Sequence, residues 1–170
     1  LLMMKMGGLN VLITNPRDIP AFVKELAKHR YNMITGVNTL FNAFLHNPEF
    51  LKLDFSHVKL CVGGGMAVQK AVADKWKQVT GKTLLEGYGL TETSPVATMN
   101  PLDLAGYSGS IGLPVPSTEI AIRDDDKQDV KQGESGEICI RGPQVMKGYW
   151  QRPEETAKVI GPDGFLYTGD

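Results

Sequence analysis

The stretch Thr83-Leu84-Leu85-Glu86-Gly87-Tyr88-Gly89-Leu90-Thr91-Glu92 joins a short apolar run to a glycine-rich turn. Runs of this kind, bounded by glycine, read as buried strands. The two glycines let the backbone take unusual conformations and approach a ligand closely. Tyr88, held between them, offers a flat face to a planar ring. Thr91 supplies a hydroxyl for a phosphate oxygen, and Glu92 a carboxylate of the kind that Mg²⁺ selects. Strand, glycine–aromatic–glycine, hydroxyl and carboxylate together describe a nucleotide site with a metal. The same residues also suit a plain turn capped by Thr91 with Glu92 in solvent.

The preceding residues discriminate between these readings. Short apolar runs alternate with helical patterns through the first hundred residues. The runs are Asn10–Thr14, Asn32–Thr35, Val58–Val62 and Thr83–Glu86. Between them lie three helical patterns. The first has Asp18 as its cap, Pro20 in its first turn, and Phe22, Val23, Leu26 and Ala27 on one face. The second carries Leu40, Phe41, Phe44 and Leu45. The third carries Val68, Val72, Trp76 and Val79, with Gly81 just past its end. Strands alternating with helices imply right-handed crossovers and a parallel sheet. Three runs end in glycine, at Gly36, Gly63 and Gly87, on the edge where open α/β sheets bind ligands. Gly36-Val37-Asn38-Thr39, Gly63-Gly64-Gly65 and the Tyr88 turn are therefore expected to share one cleft, which favours the nucleotide reading.

The pattern changes near Asn100-Pro101. Thr118–Arg123 and Gly136–Gly142 alternate with a period of two, as half-buried strands do. Asp124-Asp125-Asp126 reads as the turn after the first of them, in preference to a metal cluster. A short helix from Pro153 to Ile160, an Asp163-Gly164 turn and a strand at Phe165–Tyr167 follow. The expected architecture is an α/β domain, a parallel sheet with flanking helices over residues 1–103. A small, mainly antiparallel β subdomain follows over 104–170.

Composition narrows the function. A formal net charge of −1 leaves no basic excess for a nucleic-acid partner. Cys61 and Cys139 each sit in an apolar run and are expected to be buried and reduced, as in a cytosolic protein. His29, His46 and His57 share no metal-ligand spacing and read as surface or helix-end residues. No apolar run reaches the roughly 20 residues of a membrane helix. Leu1-Leu2-Met3-Met4, interrupted by Lys5, does not read as a signal peptide. Both ends of the chain read as cut from something longer.

Three stretches in order carry a family resemblance over essentially the whole chain. They are Tyr88-Gly89-Leu90-Thr91-Glu92, then Gly136–Gly142 running on to Lys147-Gly148-Tyr149-Trp150 and Pro153-Glu154-Glu155-Thr156, then Asp163–Asp170. Together they resemble the adenylate-forming acyl-CoA synthetases, and within them the bacterial long-chain fatty-acid–CoA ligases. Ala67, Phe165 and Tyr167 depart mildly from the family pattern. The resemblance implies that ATP and a long-chain fatty acid form an acyl-adenylate, which coenzyme A converts to the thioester, with Mg²⁺ as the metal. It implies Thr91 as the α-phosphate contact and Glu92 as the Mg²⁺ ligand, the two residues of the chemistry. Glu86, Gly87 and Tyr88 fall on the adenine-binding run, Gly64 and Gly65 on backbone packed against adenine and acyl group, and Asp170 on the carboxylate that accepts from the ribose hydroxyls.

For the acyl channel the resemblance points to the segment after Gly36. Gly36, Val37 and Thr39 are the expected substrate residues, while helical spacing makes Leu40 and Phe44 core residues. The phosphate loop and the mobile domain with its lysine would lie outside this chain, so the chain alone is expected to be inactive. The full protein is expected to be a cytoplasmic homodimer, peripheral to the inner membrane. The alternatives are a related ligase for aryl, short- or medium-chain acids and a non-catalytic nucleotide- or acyl-binding module.

Overall fold

The computed structural model describes residues 2–170; Leu1, the first residue of the opening apolar segment, lies outside them. A single helical turn, α1 (Leu2–Lys5), is followed by α2 (Ile19–Leu26). Asp18 caps α2, its carboxylate accepting from the Ala21 N–H at 3.0 Å, and Pro20 occupies the first turn. Such a cap is worth about 1 kcal/mol. Strand β1 (Met33–Gly36), helix α3 (Asn38–Leu45), strand β2 (Leu60–Gly63) and helix α4 (Lys70–Thr80) come next. Gly81, at φ 72°, ends α4. Strand β3 (Leu84–Gly89) completes a parallel trio in the order β1-β2-β3.

Helices α2, α3 and α4 pack on one side of this sheet around an aromatic cluster. Phe41 meets Trp76 edge-on at 4.8 Å, and Phe44 stacks on Phe50 at 4.9 Å. Phe41, Phe44 and Phe50 have no exposed surface, so Phe44 is a core residue as its helical spacing predicts. Cys61 and Leu84 close the cluster from the sheet.

Two expectations fail here. Asn10–Thr14 is not a strand. Leu9 and Leu12 are 91% and 84% exposed, and the segment lines a groove beside β1 without hydrogen-bonding to it. A strand needs a partner for its N–H and C=O groups, and apolar residues alone do not supply one. Nor does β3 stop at Gly87. It runs on through Tyr88 to Gly89 because β4 (Val96–Met99) pairs with it antiparallel, with a register shift between Tyr88 and Gly89. The Tyr88 "turn" is thus the end of a strand, and the turn itself falls at Thr91–Thr93. Strand β5 (Leu113–Pro114) pairs with β4 and completes a five-stranded sheet.

The remaining residues form a separate antiparallel sheet of β6 (Glu119–Arg123), β7 (Glu137–Arg141) and β8 (Leu166–Tyr167), with helix α5 (Pro153–Val159) before β8. Asp124 to Gln128 makes the expected turn, closed by Lys127 N–H to the Asp124 carbonyl at 3.0 Å. Among the described residues no group of three or more His, Cys, Asp or Glu is arranged to hold a metal ion. Phe165 lies between two guanidinium groups, Arg123 at 4.5 Å and Arg141 at 4.4 Å from its ring centre. Both cysteines are free and buried, and burial pushes the Cys139 thiol up to about 11. His57 is not a surface residue: it packs edge-on against Tyr31 at 5.2 Å. No helix among the described residues is long and apolar enough to cross a membrane.

The accessible surface is 11243 Å², against about 8,200 Å² for a compact monomer of 18.6 kDa. The excess is rich in large apolar side chains, with Met6 and Leu102 at 73% and Leu113 at 64% exposed. Surface of this kind favours association. In urea unfolding of the chain, Phe44→Ala is expected to cost about 3–5 kcal/mol. Leu51→Ala, at an exposed site, is expected to stay within about 0.5 kcal/mol. Equal effects would contradict this placement of the core.

Candidate functional site

The three glycine-ended strands meet as their spacing predicts. The Gly64 N–H donates to the Gly36 carbonyl at 3.0 Å. A Cβ on Gly64 would stand 3.5 Å from the Gly87 carbonyl, and one on Gly65 would stand 3.5 Å from Val37. Side chains at these positions would fill the edge, so glycine leaves the backbone open there. Val37 is 40% exposed and Thr39 is exposed beside it, at the start of α3.

Buried polar groups hold this edge in place. Glu86 is buried, and its Oε1 accepts from the Val68 N–H at 3.0 Å. Asn38, also buried, accepts from the Gln69 N–H at 2.9 Å. Glu86 therefore acts through its side chain on the loop between Gly65 and α4. Asn100 grips the backbone of Glu86 from the other side: its Oδ1 accepts from Glu86 N–H at 2.8 Å, and its own N–H donates to the Glu86 carbonyl at 2.8 Å. The sequence marks Asn38 only as part of the Gly36–Thr39 cleft segment and Asn100 only as the point where the pattern changes. An isolated Asn looks like a turn residue, and only the tertiary contact reveals the clamp.

Beyond Gly89 the chain enters the turn Thr91–Thr93, closed by the buried Thr93 hydroxyl, which accepts from the Leu90 N–H at 3.0 Å. Thr91 is exposed, and its hydroxyl makes no hydrogen bond among the described residues. Glu92 is half-buried. Its Oε1 accepts from the Tyr149 hydroxyl at 2.9 Å, and its carbonyl accepts from the Met146 N–H at 2.8 Å. Asp170 arrives from the other sheet, where its carbonyl accepts from the Ile138 N–H at 3.1 Å. Its Oδ2 accepts from the Tyr88 hydroxyl at 2.6 Å. Burial first, and then the Asp170 carboxylate, push the Tyr88 phenol up to about 12.

The structure thus gathers Gly36, Val37, Gly64, Gly65, Glu86, Gly87 and Tyr88 at one edge, with Thr91, Glu92 and Asp170 around the end of β3. Tyr149, which bridges to Glu92, was quoted in the sequence only as part of a motif. Glu92 suits a hard divalent cation that keeps most of its shell for water and phosphate. It offers one carboxylate, with Oε2 free of hydrogen bonds among the described residues, beside an unengaged hydroxyl.

Because the Tyr88 phenol titrates near 12 when folded and near 10 in the unfolded chain, its contribution to stability is complete below pH 10 and lost as pH rises towards 12. Urea midpoints are expected to fall over that window and to fall less steeply in Tyr88→Phe. An unchanged slope would contradict the Tyr88 environment.

Residues 1–150 match the family described as AMP-binding enzyme. The long-chain-fatty-acid–CoA ligase of Yersinia pestis is 64% identical over 170 residues, all of this chain and 30% of that protein. The Bacillus subtilis protein of the same name is 42% identical over 164 residues, 96% of this chain and 29% of its own length. The crystal structure of the anthranilate CoA ligase AuaEII, in complex with anthranoyl-AMP, superposes with a TM-score of 0.88 at 28% identity. The match covers 96% of this chain and 32% of that one. The chain therefore spans about 30% of the length of the curated relatives it matches. On the match over residues 1–150, the chain belongs to the AMP-binding enzyme family.

Proposed function

We propose that this chain supplies the nucleotide edge of a ligase that activates long-chain fatty acids with ATP and transfers the acyl group to coenzyme A. The observation that carries the reading is the placement of Thr91, Glu92 and Asp170 around the end of β3, in a chain 64% identical to a ligase of that name. Negative charge builds on the α-phosphate as a fatty-acid carboxylate oxygen bonds to it and the bond to pyrophosphate breaks; the coenzyme A thiol then attacks the acyl carbon and AMP leaves. The Thr91 hydroxyl would donate to an α-phosphate oxygen, and Glu92 would hold Mg²⁺, which would neutralise that charge. The Asp170 carboxylate accepts from the two ribose hydroxyls, for which it has enough lone pairs. Tyr88 and the backbone at Gly64 and Gly65 line the adenine position, and Gly36, Val37 and Thr39 line the start of the acyl channel. The poor solubility of a long-chain acid supports a cytoplasmic enzyme working beside a membrane surface.

The test is ATP–pyrophosphate exchange with acids from acetate to palmitate. It uses this chain alone and a chimera in which the chain replaces its matched segment of the Yersinia pestis ligase. Exchange is expected in the chimera only, with palmitate far ahead of acetate. Glu92→Ala in the chimera is expected to lower the rate by about 10²–10³-fold, the usual effect of removing one electrostatic contact to the transition state. A chimera that exchanges with acetate or aryl acids but not palmitate would overturn the substrate assignment. No exchange with any acid would overturn the reaction.

A further inference from the structure

The stretch from Met146 to Thr156 takes no part in the chemistry described above, yet Tyr149 within it reaches Glu92. Four contacts define its geometry. The Tyr149 hydroxyl donates to Glu92 Oε1 at 2.9 Å. The Tyr149 N–H donates to the Thr156 hydroxyl at 2.9 Å, and that hydroxyl donates to the Arg152 carbonyl at 2.8 Å, within the first turn of α5. The Met146 N–H holds the Glu92 carbonyl at 2.8 Å, so the same stretch grips Glu92 by backbone and side chain.

Gly148 makes the approach possible. It sits at φ 149°, and a Cβ there would lie 2.8 Å from the Thr156 methyl and 3.0 Å from its hydroxyl. A side chain at 148 would push Thr156 away from the Tyr149 backbone. Pro153 starts α5 and helps set where Thr156 stands. Gly148, Tyr149, Pro153 and Thr156 are thus the parts of one bracket, and its tip is the Tyr149 phenol.

We propose that Tyr149 is a positioning residue for Glu92: its phenol holds Oε1 so that Oε2 faces the divalent cation of the bound nucleotide. This rests on the assignment of Glu92 as a metal ligand in the proposed function. A carboxylate free to rotate presents either oxygen in many directions. One donated hydrogen bond from a residue anchored to a helix removes that freedom before the cation arrives. Outer partners of metal ligands act in this way, and their loss lowers metal affinity by about 10–100-fold. Tyr149 is 38% exposed, so the low end of that range is expected.

The variant is Tyr149→Phe, which keeps the ring and the backbone bond to Thr156 and removes only the donor. It is compared with wild type and Glu92→Gln in the Yersinia pestis chimera. Mn²⁺ serves as the probe in the presence of a non-hydrolysable ATP analogue. Bound Mn²⁺ is read as the loss of free-ion EPR signal beyond that in a protein-free sample holding the same analogue, and Mg²⁺ dependence is read separately in the exchange assay. Tyr149→Phe is expected to weaken Mn²⁺ binding by about tenfold and to raise the Mg²⁺ requirement more than it lowers the rate at saturating Mg²⁺. Unchanged Mn²⁺ affinity in Tyr149→Phe, with Glu92→Gln impaired, would overturn the positioning role and leave the proposed function standing. Unchanged affinity in both would overturn Glu92 as the ligand and the positioning role with it.

Discussion

The paired hydrogen bonds between Asn100 and the backbone of Glu86, both 2.8 Å, hold β3 where its surroundings change. Up to Glu86 the strand runs parallel to β2, and from Gly87 it runs antiparallel to β4. Without the clamp, the backbone groups of a buried residue at this junction would lose their partners. Each loss would cost about 1–3 kcal/mol. Most buried polar side chains lie at or near this edge: Asn38, Glu86, Thr93, Thr98 and Asn100. Asn100 also donates to the Ser110 carbonyl at 2.7 Å and Thr98 to the Ile111 carbonyl at 2.7 Å, which draws the chain towards β5. The edge is therefore a polar floor laid on an aromatic core.

The two sheets meet over that floor through polar contacts. Tyr88 reaches Asp170, Tyr149 reaches Glu92, and the Gln144 amide reaches the Val96 carbonyl at 3.3 Å. The carboxylates in the first two bonds are the ones that bind ribose and metal in the proposed reaction. Both bonds reach partly exposed groups, so each adds little to net stability. The same contacts fix where the carboxylates stand before a ligand arrives, which is what an electrostatic site requires.

Much of the fold was legible because the sequence carries strong local signals. Asp18 and Pro20 announce α2, Gly81 ends α4, and the short apolar runs of β6 and β7 mark strands, although neither strand buries alternate residues. The edge of the cleft followed from three runs that end in glycine. What failed was whatever depended on a partner far along the chain. Asn10–Thr14 has a strand's composition but no neighbour to bond. Tyr88 and Gly89 look like a turn until β4 pairs with them. Asn100 and Tyr149 act across separations of 14 and 57 residues, and nothing local marks either. Glu86 lies at the cleft edge, but its carboxylate turns to the Val68 N–H, a choice set by tertiary packing.

In the proposed function, adenine sits at the edge formed by Gly64, Gly65 and Glu86 to Tyr88. Photolabelling with 8-azido-ATP, followed by peptide mapping, reads that position directly. In the Yersinia pestis chimera, ATP-protectable label is predicted in peptides containing residues 63–65 or 86–91 of this chain, and loss of label is predicted when Asp170 is changed to Ala. Protectable label confined to other segments, such as the groove beside β1, would contradict the account.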